Sequence, residues 1–237
     1  LKIMTDSGKK CLTDLLINVV LPCNTIHAFC VAIDASIFGK LASLLITALL
    51  IQVFCVILTR TLYNRMEPEQ RKIFQYATVC SNAGFIGYPV CEGLWGAQGV
   101  LYACVYLIPQ RFVMWSAGLS YFTTGSTRRE IAKKVLTNPC VVAVFIGLPL
   151  MVFQIQLPAV VASVIEKLSS CTTALSLLIV GSILAGVRFR SLFDLKNLLF
   201  SLVRLVLIPA VVWGGCLLCR LDPLVTGVCT LLAGMPA

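Results

Sequence analysis

A few polar and charged side chains interrupt the long apolar runs of this 237-residue chain, and they are where chemistry could occur. SNAGFIGYPV, at 81–90, carries Ser81 and Asn82, then Gly84, Gly87 and Pro89. LPCNTIH, at 21–27, carries Asn24 and His27, the only histidine. Arg111 follows Pro109 and Gln110, and the chain closes on LAGMPA with Gly234 and Pro236. Lipid offers a backbone no hydrogen-bond partner, so a break in a helix there leaves polar groups that something else must satisfy. Glycine loosens the chain and proline removes a donor. The spacing in 81–90 predicts one half-helix over 73–82 and another restarting at Pro89, where the missing donor is not needed. Free amides at such a restart favour an anion or a polar ligand, and Ser81 and Asn82 add side-chain donors and acceptors. The alternative reading of the same residues is a proline kink packed against a neighbour.

Ionisable residues inside apolar spans are functional candidates by default. Arg111 could meet a substrate carboxylate, a buried acid or a helix C-terminus. His27, with Asn24 one turn before it, could relay protons near neutral pH or be a hydrogen-bonded structural residue. Asn24, His27 and Arg111 together are the candidates for a substrate or proton pathway. Arg204 lies two turns into its span and is expected to snorkel to the interface. Glu166 and Lys167 read as interfacial anchors, and STRREIAKK (126–134) as a headgroup-facing loop. Cys216 and Cys219 form a CxxC without further ligands, which leaves a zinc site open, so they read as small apolar helix residues.

These residues are set in a chain that is 59% hydrophobic and only 12% charged, with mean hydropathy +0.94. Soluble domains are nearer 45–50% apolar and about 25% charged, so this is a polytopic all-α membrane protein. The net charge of +9 reads as topology-setting loops and not as a nucleic-acid surface, because no aromatic-basic interleaving accompanies it. Stretches of about 20 apolar residues span a bilayer. Eight are expected: 15–33, 37–59, 73–95, 99–122, 138–156, 171–187, 198–219 and 224–237. Residues 157–170 read as an interfacial stretch before the sixth. The opening LKIMTDSGKKC has no apolar core and is no signal peptide. The chain reads as a fragment lacking at least one helix at each end.

Alternate loops carry fourteen Lys and Arg on one side and three on the other, with Arg111 and Arg204 inside spans. The positive-inside rule makes the first side cytoplasmic. The chain also echoes itself. DASIFGKL (34–41) closes the first span and RFRSLFDL (188–195) the sixth, with opposite topology. GFIGYPV (84–90) and LAGMPA (232–237) then fall in corresponding spans. Inverted repeats with matching broken helices mark secondary transporters. A single membrane domain over 1–237 is expected, with most of one repeat in 1–124, most of the other in 138–237, and a cytoplasmic linker at 125–137.

SNAGFIGYPV resembles the N-x-G-F-x-G-x-P motif of the auxin efflux carrier family, which includes plant PIN proteins and bacterial organic-acid permeases. LP at 21–22, TNPCVVAVFIGLPL at 137–150, LSLLIVGSILAGV at 175–187 and LAGMPA at 232–237 follow in the family's order. The short loop at 123–137 is similar to the bacterial branch, which implies a bacterial inner-membrane location. The resemblance implies ten helices in two inverted repeats of five, as in bile-acid sodium symporters, with this chain covering helices two to nine. Its broken helices 73–95 and 224–237 would cross at Pro89 and Pro236. CTTALS in the sixth span departs from the pattern, with Ala174 where a proline is expected.

The sequence has no GxSxG, no HExxH, no paired intramembrane aspartates and no Walker A pattern, so neither an intramembrane enzyme nor an ATP-driven pump is expected. The expected function is secondary transport of small organic anions such as auxin-like, malate or malonate-type acids. Substrate would bind at the crossing through Ser81, Asn82, Gly84, Gly87, Pro89, Gly234 and Pro236. A non-transporting sensor of the same fold and a sodium-coupled symporter are the alternatives. The expected partners are the organic anion, the lipid bilayer, a proton or sodium ion for coupling, and a second copy in a homodimer. No cofactor, metal or nucleic acid is expected.

Overall fold

A computed structural model describes residues 5–30, 36–64, 66–122, 129, 133, 136–185 and 195–237. Most of the aligned segment at 188–195 and of the expected linker at 125–137 lies outside the described residues, whereas 36–41 of the segment at 34–41 fall in α3. The described residues are helical, without a strand. In chain order the helices are α1 (Asp6–Leu15), α2 (Leu21–Phe29), α3 (Ser36–Leu62), α4 (Pro68–Val79), α5 (Tyr88–Phe122), α6 (Pro139–Val152), α7 (Ala159–Leu184), α8 (Leu195–Leu202), α9 (Ile208–Leu218) and α10 (Pro223–Ala233). π-helical turns at Leu16–Val20 and Val203–Leu207 join α1 to α2 and α8 to α9, and a third at Ala83–Gly87 leads into α5.

Among the described residues, four helical runs are long and apolar enough to cross a membrane: Ser7–Phe29, Ile37–Leu62, Ala159–Leu184 and Leu195–Leu218. The last has 24 residues, about 36 Å at 1.5 Å per residue, against a hydrocarbon layer of about 30 Å. Their outer faces carry Ile46, Leu50 and Ile57 on α3, and Leu202, Val206 and Trp213 on the α8–α9 run, all exposed. An apolar surface of that extent is sustainable only against lipid. The chain is therefore an all-α polytopic membrane protein.

Among the described residues, each π-turn ends two residues before a proline: Pro22, Pro89 and Pro209. Proline cannot donate to the carbonyl four residues back, and its ring crowds that oxygen. Those carbonyls belong to Asn18, Phe85 and Leu205, the middle residue of each π-turn. The helix widens there to relieve the clash. Pro109 and Pro149 sit inside α5 and α6 without a π-turn, so proline permits the widening and packing selects where it occurs.

Two sequence expectations are corrected here. Residues 157–170 are not a separate interfacial stretch: Pro158 caps a single uninterrupted helix that runs from Ala159 to Leu184. Nothing between Ala159 and Val180 breaks a helix, and the exposed Glu166 and Lys167 remain on its surface. Ala174, at the position where a proline was expected, lies within this same helix. The first span also starts earlier than 15, at Asp6, where Thr5 caps it by accepting from the Gly8 amide at 3.2 Å.

Packing sorts the helices into two groups. In one, α6 and α7 each pack mainly on α2. α3, α4, α5 and α10 form the other group, with α9 packed on α10. α5 and the π-turn at Ala83–Gly87 meet α2 and α7 across the boundary. At one end, Lys40 on α3 pairs with Asp222 at 2.7 Å, and Asp222 caps α10 by accepting from the Leu224 amide at 2.9 Å.

The sequence spans 73–95 and 99–122 meet at Gly96, the single non-helical residue inside α5, with φ 60° and ψ −149°. Only glycine adopts that geometry without strain. Gly96→Ala is expected to lower unfolding stability by about 1–3 kcal/mol, read as a reduced melting temperature in detergent. The Lys40 bond holds the Asp222 carboxyl below the ordinary carboxylate range, against a smaller opposing effect of burial. A depressed acid stabilises the fold above its unfolded-state value and ceases to do so as pH falls through the lower folded one. Asp222→Asn should flatten the acid limb of a melting-temperature profile, whereas Asp222→Ala should additionally lose the cap, about 1 kcal/mol at neutral pH.

Candidate functional site: the crossing and its cavity

α4 stops at Val79. Cys80 is extended (φ −108°, ψ 93°), Ser81 and Asn82 are non-helical, and turns resume at Ala83. The restart is therefore six residues earlier than Pro89, which lies in the first turn of α5. The expected half-helix boundary at Pro89 is corrected accordingly: the proline widens the restart instead of beginning it. α10 stops at Ala233, Gly234 caps it, and Met235–Ala237 are non-helical.

These two breaks meet. The Asn82 amide donates to the Pro236 carbonyl at 2.7 Å. A Cβ on Gly87 would lie 2.5 Å from Leu232 Cδ2 and 3.8 Å from Met235 Cγ, so a side chain there would have to displace the buried Leu232 from the crossing. The contacts at the crossing are thus Asn82 with Pro236, and Gly87 with Leu232 and Met235. Gly84 has open space where a Cβ would be.

That open space is a cavity of about 190 Å³. Ser81, Asn82, Gly84, Gln110, Arg111 and Asn138 supply its polar lining, and Leu21, Phe85, Leu107 and Met114 are among its apolar wall. Gln110 holds the break open: its Nε2 donates to the Ser81 carbonyl at 2.6 Å, and Ser81 Oγ donates to its Oε1 at 3.3 Å. Arg111 is 9% exposed. Its Nη2 donates to the Tyr88 hydroxyl at 3.0 Å, and its Nη1 is buried without a partner. Of the pairings open from sequence, neither a buried acid nor a helix C-terminus is its partner among the described residues. The first N–H groups of the restart at Ala83, Gly84 and Phe85 have no intrahelical acceptor, and the helix dipole makes that end positive.

Asn24 and His27 do not share this cavity's lining. Asn24 is buried between α2 and α7, where its Oδ1 accepts from Ser169 Oγ at 2.8 Å and its Nδ2 has no partner. His27 lines a separate space of about 310 Å³ with Gln154 and Gln156.

Arg204 does not snorkel. It is 3% exposed, its Nε donates to the Met235 carbonyl at 3.1 Å and its Nη1 to the Thr78 carbonyl at 3.0 Å. The α8–α9 run is already helical at Leu195, ahead of the expected start at 198, so Arg204 is deeper than its sequence position implies, and the π-turn at Val203–Leu207 carries it. Gln110, Tyr88 and Thr78 are further contributors that sequence reasoning missed. Arg204 alone had a signal, as an ionisable residue in an apolar run.

Gly87→Val should break the crossing. Overpacking of about 1–3 kcal/mol is expected, with a lower melting temperature, whereas Gly84→Ala should leave the melting temperature unchanged because its Cβ meets open space.

A family model described as "Membrane transport protein" matches residues 1–237. No curated protein matches the chain. A match over the whole chain, on a helical fold whose two breaks meet at the motif residues, agrees with the resemblance to auxin efflux carriers, and the chain belongs to this membrane transport protein family.

Proposed function

We propose that the protein is a secondary transporter of small organic anions, that substrate binds in the cavity beside the broken helix, and that it has no catalytic activity of its own. The observation that carries this reading is the buried, unpartnered Nη1 of Arg111 in the same cavity as Asn82 and the restart at Ala83. An unpaired guanidinium donor in a dry site is costly unless an anion arrives to meet it. The positive end of the helix dipole supports the same sign of ligand. Carboxylate oxygens could accept from Arg111 Nη1, the Asn82 side-chain amide and the free backbone donors, while Phe85, Leu107 and Met114 enclose the apolar body.

The packing groups support a route for movement. The crossing belongs to the group of α3, α4, α5 and α10, and α2, α6 and α7 border it. Sliding one group against the other would carry the cavity from one membrane face to the other, which is how broken-helix transporters alternate access. Asn138 lines the cavity at the start of α6 and follows the basic segment 126–134 closely in sequence, which supports loading from the side that the positive-inside rule makes cytoplasmic. The short connection at 123–137 fits a bacterial inner-membrane member.

Uptake of labelled malate, malonate and an indole acid into proteoliposomes tests the reading. Arg111→Gln should lower uptake efficiency about ten- to hundred-fold, the value of a charge-assisted hydrogen bond of about 1.5–3 kcal/mol. Asn82→Ala should lower it less, roughly five- to ten-fold, about 1 kcal/mol. Uptake that neither substitution changes, or no uptake of any of these acids, would sink the proposal.

A further inference from the structure

We propose that Arg204 is a tethered cation that occupies the carbonyl pole of the crossing, where a broken-helix transporter otherwise binds a coupling ion, and that it positions the two breaks without one. This rests on the transport reading above. α4 and α10 both direct their C-terminal ends at the crossing, and the last carbonyls of a helix have no intrahelical donor. Such ends carry roughly −0.5 of an elementary charge each. Two of them together amount to roughly −1, which one guanidinium balances. In transporters of this kind, half-helix C-termini and unwound carbonyls are the groups that coordinate sodium.

Here Arg204 meets both ends at once. One nitrogen bonds the carbonyl of Thr78 on α4, and another bonds the carbonyl of Met235 just past α10. The bonds are 3.0 and 3.1 Å long, and the side chain is 3% exposed. Among the described residues no carboxylate lies within ion-pair distance of it, so the carbonyl ends are its counter-charge. Arginine does not lose its proton in a protein, so the charge is permanent. It comes from a different helix run from either break and ties both to α8–α9. The planar fork matters as well as the charge, since one nitrogen must serve each helix end.

Arg204 is thus a positioning residue for the anion site. It acts on the carbonyl side of the crossing, while Arg111 and the restart amides face the cavity. A pole already filled by a fixed charge has no vacancy for sodium, and uptake of organic acid should not depend on it.

The test compares wild type, Arg204→Ala, Arg204→Met and Arg204→Lys in equal concentrations of sodium, potassium and choline chloride. For wild type, melting temperature and acid uptake are expected to be the same in all three salts. Arg204→Met keeps most of the volume without the charge and should lose at least ten-fold in uptake. Arg204→Lys should retain more than Arg204→Met. Arg204→Ala should gain a dependence that wild type lacks: millimolar guanidinium should raise its melting temperature by several degrees and recover uptake several-fold. A saturable, sodium-specific rise in the wild-type melting temperature, or wild-type uptake that needs sodium, overturns the proposal. So does an Arg204→Met protein indistinguishable from wild type, or a folded Arg204→Ala protein that guanidinium does not rescue. If Arg204→Ala does not fold, the wild-type salt comparison decides alone. If wild type moves no acid in any salt, the transport reading fails and the melting temperatures still decide the role of Arg204.

Discussion

Two helix ends can meet inside a hydrocarbon layer only if their backbone groups are satisfied there, and in this protein that constraint shapes everything around residues 78–87 and 233–236. Thr78 and Met235 offer their carbonyls to Arg204, and Pro236 offers its carbonyl to the Asn82 amide. Gln110 covers the Ser81 carbonyl. Each of these groups would cost a kilocalorie or more per mole if left unpaired in a dry interior, on the order of 1–3 kcal/mol. The break is therefore held open by named partners from α5, the α8–α9 run and the segment after α10, and none of them is local to it.

Prolines act on the same constraint from the other direction. Pro22, Pro89 and Pro209 each follow a π-helical turn by two residues, because each removes a donor and crowds the carbonyl at the centre of that turn. The widened turns have consequences. The one before Pro89 is the restart that borders the cavity, and the one before Pro209 carries Arg204. A residue type that interrupts three helices thereby places the groups that close the crossing.

Polarity is divided across the crossing. Carbonyl ends of α4 and α10 converge on a guanidinium already bonded to them, whereas the amide end of the restart faces a cavity with Arg111 and its unpaired nitrogen. The first pole is internally balanced. The second keeps an unpaired guanidinium nitrogen, and that asymmetry, together with two helix groups that meet along α5 and α2, is what the proposed anion transport rests on.

Much of this was legible in the sequence. Apolar runs long enough for a bilayer, the division between the spans 73–95 and 99–122, the helix break near Ser81 and the glycine–proline break within 224–237 all follow from local chemistry: hydropathy, a missing Cβ, a missing N–H. These act over a few residues, and the chain order is enough to read them. Partner choice is not local. Whether Arg204 turns to lipid headgroups or to carbonyls depended on how deep α8–α9 sits and on two helix ends far away in the chain. Arg111 found Tyr88, and His27 was parted from Asn82, because α2 packs on α6 and α7 while the crossing lies with α3, α4, α5 and α10. The sequence by itself determined that the chain spans a membrane and which glycine- and proline-bearing stretches break its helices, though not the residue at which the helix resumes, Ala83. Only the tertiary structure decided which charges face which ends, since a buried charge takes its partner from whatever long-range packing brings within hydrogen-bond distance.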